Sequence, residues 1–152
     1  MYIIAGSTGT LVPPKGYLQK LREICDKHGV LLIFDEVITG WGRTGSSFAG
    51  HEFGVTPDIM TMAKATTNGV VPMGVVACKD EIYDAVMDAS PMGSVELFHG
   101  YTYSGIPVAV AAALAVQDIF EKEDIFERAK NLAPYFQKGL FSLQDLEAVD
   151  NI

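Results

Sequence analysis

The sequence predicts an α/β protein with a mostly parallel sheet and flanking helices, and three observations carry that expectation. Val30-Leu31-Leu32-Ile33-Phe34 is a continuous apolar run directly after a helix-period segment, the pattern of a strand buried on both faces. Two more short apolar runs follow, Ile59 to Ala63 and Gly74 to Cys78. Helical patterns alternate with these runs along the chain.

Taken in order, Tyr2-Ile3-Ile4-Ala5 is short and β-prone, and Gly6-Ser7-Thr8-Gly9 ends it. Pro13-Pro14 is expected to open a helix, since proline is tolerated in a first turn. Tyr17, Leu18, Leu21, Ile24 and Cys25 form its apolar stripe, and Gly29 is expected to cap it in the left-handed conformation. The run ending at Phe34 leads into a glycine-rich loop over 35–47, followed by a short helical turn around Phe48 to Phe53. Ile59 to Ala63 reads as a second strand ending at Lys64, and Gly74 to Cys78 as a third. Asp80 to Met87 reads as a short helix and 89–103 as irregular. Pro107 starts an alanine-rich helix running to about Glu121. A final amphipathic helix begins near Asp124, carries Phe126, Ala129, Ala133, Phe136 and Leu140, and is expected to break or bend at Gly139.

Composition narrows the function classes. Acidic residues outnumber basic ones, 19 against 11, for a formal charge of −8. With no clustered Lys or Arg, that balance argues against a nucleic-acid or anionic-membrane partner. His28, His51 and His99 lack metal-ligand spacing, so no metal site is expected. Cys25 and Cys78 form no CxxC pair and read as buried reduced thiols. The longest apolar stretch, Ile106 to Val116, is too short for a bilayer. No basic region followed by an apolar run opens the chain. A cytoplasmic protein is expected.

Two residues stand out by position. Asp35 follows five apolar residues at the carboxyl end of a strand, where open α/β sheets place ligands. It could equally cap a helix or pair in a turn. Lys64 also ends an apolar strand. Lysine is rarely buried alone, so it either reaches to water or is used. The two fall at the same end of the sheet, which favours use. A lysine nucleophile acts in its neutral form, which burial or a nearby cation promotes.

The segment from Leu32 to Gly45, reading Leu-Ile-Phe-Asp-Glu-Val-Ile-Thr-Gly-Trp-Gly-Arg-Thr-Gly, resembles the class III aminotransferases, as does Pro57-Asp58-Ile59-Met60-Thr61-Met62-Ala63-Lys64. The ω-amino acid:pyruvate branch is the most similar. The resemblance implies the large domain of a fold-type I pyridoxal 5′-phosphate (PLP) enzyme. Lys64 would then be the catalytic lysine that holds the cofactor as an imine. Asp35 would bind the pyridine nitrogen, keeping it protonated so that the ring acts as an electron sink, and Val37 would pack on the ring face. His99-Gly100-Tyr101-Thr102-Tyr103-Ser104-Gly105 is similar to the family's phosphate-contact loop. Thr102 there would bind the cofactor phosphate of the other subunit of a homodimer, Gly100 and Gly105 allowing close backbone approach.

The implied reaction is transamination of an ω-amino acid or amine with a keto acid such as pyruvate. An aminomutase or racemase of the same fold would use the same Asp35/Lys64 pair, and a non-catalytic fragment would fold without turnover. Trp41, where many relatives have phenylalanine, is expected to pack rather than touch substrate. Arg43 is expected in a structural ion pair or on a carboxylate, and Glu36 to brace the backbone. Residues 1–122 are expected to be part of the cofactor-binding large domain, and 123–152 a helix leading toward a small C-terminal domain. The chain corresponds to the middle third of the family pattern and lacks the glutamate-proline pair expected before Ala5. Ile106 stands where histidine or asparagine is usual. On its own, the chain is therefore expected to be inactive.

Overall fold

A computed structural model describes residues 1–92, 97, 99 and 101–150. Three strands form one sheet in the order β1-β2-β3: β1 is Ile33–Asp35, β2 is Ile59–Met62 and β3 is Val75–Cys78. β1 and β2 are parallel, with Asp35 opposite Thr61, whereas β2 and β3 are antiparallel, with Ile59 opposite Cys78. The sheet is thus mixed rather than mostly parallel. The connection over 63–74 holds only a 3-10 turn, Lys64–Thr66, and no α-helix of the kind that usually carries a parallel crossover. Among the described residues five α-helices accompany it: α1 Tyr17–His28, α2 Ala49–Glu52, α3 Asp80–Ala89, α4 Pro107–Lys122 and α5 Ile125–Phe141.

The core lies on one face of the sheet. Leu32 and Phe34 pack there with Ile3, Leu18 and Cys25 of α1, Ala49 of α2, and Val55. Their alternate neighbours look outward: Leu31 is 54% exposed and Ile33 43%. The expected burial of 30–34 on both faces is therefore corrected. Within the described residues this segment alternates like a half-buried strand, because α1 and α2 cover only the Phe34 side. Cys25 is buried as expected, but Cys78 is exposed, since it ends the outer strand β3 on the side that α1 and α2 do not cover.

Local expectations hold at α1, where Gly29 caps at φ 63°, and at Pro107, the first residue of α4. Others shift. Pro13-Pro14 precede α1 rather than open it, because Gly16 sits at φ 84° and starts the helix only at Tyr17. The 2–5 segment contributes isolated bridges, Tyr2 with Asp35 and Ala5 with Leu11, rather than a strand. α5 runs through both Pro134 and Gly139, so Gly139 does not break it. The irregular stretch expected over 89–103 lies partly outside the described residues, Gly93 and Gly100 included. No helix among the described residues is long and apolar enough to cross a membrane.

Candidate active site

Asp35 is the last residue of β1, and its register partner Thr61 lies three residues before Lys64. The backbone continues the ladder past the strand, with Glu36 N donating to Thr61 O at 2.9 Å. The carboxyl ends of β1 and β2 thus deliver Asp35 and Lys64 to one edge. Asp35 Oδ1 accepts the Val37 N–H at 3.0 Å, which fixes the carboxylate plane and folds Val37 back beside it. Its other oxygen accepts no hydrogen bond among the described residues, so it is available to an N–H donor.

Lys64 opens a 3-10 turn, Lys64–Thr66, and sits at φ 49°. A side chain in the left-handed region costs on the order of 1 kcal/mol, so the surrounding structure must hold it there. The lysine is exposed, and among the described residues its amine forms no ion pair. Thr66, buried at the other end of the turn, donates through both its N–H and its hydroxyl to Ala63 O, each at 3.1 Å. Trp41, itself at φ 61°, donates its indole N–H to the Thr66 hydroxyl at 3.0 Å. The indole ring centroid lies 5.0 Å from that of Phe48 and 5.9 Å from that of Phe120 of α4. Trp41 thus packs against Phe48 and Phe120, as expected of a position where many relatives have phenylalanine.

Two buried carboxylates brace the sheet, Glu36 beside this edge and Asp58 at the opposite end of β2, and sequence reasoning assigned a bracing role only to the first. Glu36 is fully buried and accepts from Thr39 Oγ1 at 2.5 Å, Ala49 N at 3.1 Å and Gly50 N at 2.8 Å. It ties the turn after Asp35 to the first residues of α2. Gly50 is required beside it: a Cβ there would stand 2.9 Å from Val55 O. Asp58 is the residue that the sequence did not single out. It accepts from Leu32 N at 2.6 Å, Arg22 Nη1 at 2.8 Å and Lys79 Nζ at 2.7 Å. It therefore joins α1, the lead into β1, the start of β2 and the end of β3. The signal was available as a lone acid before an apolar strand, but not the identity of its partners.

Burial alone would raise the Asp58 carboxyl, but the Leu32 N–H, Lys79 and Arg22 outweigh it and hold it at about 2. An unfolded aspartate titrates near 3.9. The group's stabilisation is thus fully present above pH ~4 and lost as pH falls toward 2, amounting to roughly 2–3 kcal/mol. Asp58→Asn is expected to flatten the fall in unfolding free energy between pH ~4 and ~2, read by urea denaturation at several pH values. An unchanged acid slope would remove Asp58 as its source.

Thr102 stands apart from Asp35 and Lys64. It is exposed, lies in the turn before α4, and has no hydrogen bond among the described residues. Its neighbour Tyr101 lines a groove with Ile59, Val76 and Cys78, toward the other end of β2. Gly105 takes φ 68°, while Gly100 lies outside the described residues. Arg43 is exposed and, among the described residues, forms no ion pair, so the structural pairing expected of it is absent. The glycines around it approach α5 instead: a Cβ on Gly42, at φ 88°, would meet the Phe126 ring at 2.7 Å.

The family profile described as class-III aminotransferase matches residues 3–152. An omega-aminotransferase of Caulobacter vibrioides is 55% identical over 149 residues, covering 98% of this chain and 34% of that protein. A beta-alanine–pyruvate aminotransferase of Pseudomonas aeruginosa is 55% identical over 150 residues, with the same coverages. Among solved structures, an (S)-enantioselective omega-transaminase from Thermomicrobium roseum superposes with a TM-score of 0.90 at 41% identity, over 99% of this chain and 33% of that one. An amine transaminase from an uncultivated Pseudomonas species, in its PLP-bound form, gives 0.81 at 44% identity, over 88% and 30%. The chain spans about a third of the length of these relatives.

Proposed function

Because the chain belongs to the class-III aminotransferases, we propose that it carries the cofactor-binding centre of a PLP-dependent transaminase that moves an amino group from an ω-amino acid or amine to pyruvate or a similar keto acid. The observation that carries this reading is the convergence of Asp35 and Lys64 at the carboxyl ends of two parallel strands. The donor set fits the cofactor: among the described residues, a carboxylate with one oxygen open, an amine without an ion pair and a hydroxyl without a hydrogen bond. PLP would supply an aldehyde for the amine and an electron-withdrawing ring.

In this reading the Lys64 amine would hold the cofactor and, when free, would take and return the proton at the substrate carbon. Asp35 accepts the ring N–H through its open oxygen, and the Val37 N–H fixes the direction of that carboxylate. Val37 itself packs against the ring. Thr102, placed away from this edge, donates to the phosphate bound by a second copy of the chain, which makes the enzyme a homodimer. Residues 1–122 belong to the large domain, and 123–152 lead toward a smaller one. An exposed free thiol at Cys78 suits a reducing compartment such as the cytoplasm.

Turnover tests the proposal. Residues 1–152 alone are expected to give no alanine from β-alanine and pyruvate with excess PLP, because positioned groups act as a unit and are lost together. Within a chain of the relatives' length, the same residues are expected to form alanine steadily. No alanine from that longer chain, with PLP bound, would overturn the transaminase reading.

A further inference from the structure

We propose that Trp41 is a positioning residue for Lys64: its indole N–H, acting through Thr66, holds the lysine's turn in the left-handed conformation. The proposal deepens the reading above and rests on it for the statement that Lys64 is the reacting amine. Two hydrogen bonds run in series, from Trp41 Nε1 to Thr66 Oγ1 at 3.0 Å and from Thr66 Oγ1 to Ala63 O at 3.1 Å. Ala63 immediately precedes Lys64, so the link closes around the strained residue. The Thr66 hydroxyl spends its single proton on Ala63 and has only lone pairs left, which the donor-only indole matches.

The donor end of this link is itself fixed. Trp41 is held at φ 61°, its backbone N–H donates to Ser47 O at 2.6 Å, and its ring packs against both Phe48 and Phe120. Phe120 in turn lies 5.3 Å from Phe126 of α5. α4 also packs on the Lys64–Thr66 turn. Strained residues persist where neighbours over-determine them, and here one hydrogen-bonded link joins the strained Trp41 to Ala63, the residue just before the strained Lys64. The backbone angles of Lys64 set the direction of its Cα–Cβ bond, so loosening the link re-aims the base of the side chain that carries the amine.

Competitive labelling of the cofactor-free full chain with trace acetic anhydride reads this directly, comparing Lys64 with Lys27, an exposed lysine on α1. Trp41→Phe keeps an aromatic ring but loses the N–H, and Thr66→Val keeps the shape but loses the hydroxyl. Each is expected to lower Lys64 labelling relative to Lys27 about fivefold, the scale of one hydrogen bond. The double variant should go no lower than either single one, and Thr66→Ser should match wild type. Wild-type labelling in folded Trp41→Phe, or additive losses in the double variant, would overturn the proposal; if Trp41→Phe does not fold, wild-type labelling in Thr66→Val does the same. Should wild-type protein instead fail to bind PLP on Lys64, the functional reading falls while the labelling result stands.

Discussion

Lys64→Ala is expected to abolish covalent capture of PLP and lower turnover by several orders of magnitude while leaving the fold in place. The lysine amine serves twice in the proposed reaction, as the group that holds the cofactor and as the base at the substrate carbon. No neighbour replaces it: Lys79 is paired with Asp58 toward the opposite end of β2, and Arg43 belongs to a loop that packs on α5. The structural cost is small, because the side chain is exposed and carries no ion pair among the described residues. A surface change of this kind stays within about 0.5 kcal/mol. Borohydride reduction of the PLP-treated full chain followed by peptide mapping should place the phosphopyridoxyl group on the peptide containing Lys64, and Lys64→Ala should lose it. An adduct on any other lysine of the wild-type protein would sink the assignment.

The positions of both residues were legible because each breaks an apolar run, and a charge that ends a core strand is conspicuous in one dimension. What brings them to one edge was less legible. The Asp35–Thr61 register depends on the Leu32–Asp58 contacts, which pair residues 26 apart. The apolar run Val30 to Phe34 suggested burial on both faces, since a run with no polar residue does not record which face is covered. Only packing by α1 and α2 shows that Leu32 and Phe34 are the inward pair. Glu36 and Asp58 show the same limit. A sequence marks an acid beside a strand, but not whether backbone amides, as at Glu36, or cations, as at Asp58, satisfy it. Pro134 and Gly139 show the opposite failure, in which local breakers sit inside a continuous helix. Proline removes only its own N–H from the ladder and leaves the Lys130 carbonyl without that donor, a loss that an exposed helix can satisfy with water.

Asp35→Asn is expected to keep PLP bound on Lys64 but slow the half-reaction with the amine donor by orders of magnitude. The substitution is nearly isosteric, and an amide oxygen can still accept the Val37 N–H that Asp35 Oδ1 accepts at 3.0 Å. The side chain therefore keeps its direction, and the turn into Glu36 is undisturbed. The other position changes in kind. A carboxylate oxygen that accepts a proton-bearing ring nitrogen becomes an NH2 group, which can only donate. Two donors cannot face each other, so the ring nitrogen is left unprotonated and the side chain no longer stabilises charge drawn into the ring. Removing one preorganised partner of developing charge costs several kcal/mol, and each 1.36 kcal/mol is tenfold in rate. Stability should fall by less than about 1 kcal/mol, which separates this effect from unfolding. Single-turnover rates for wild type and Asp35→Asn, measured with saturating PLP and with adduct formation on Lys64 verified in both, provide the test. Near-normal rates in the variant would remove Asp35 from the mechanism and leave its carboxylate the simpler role of fixing the turn at Val37.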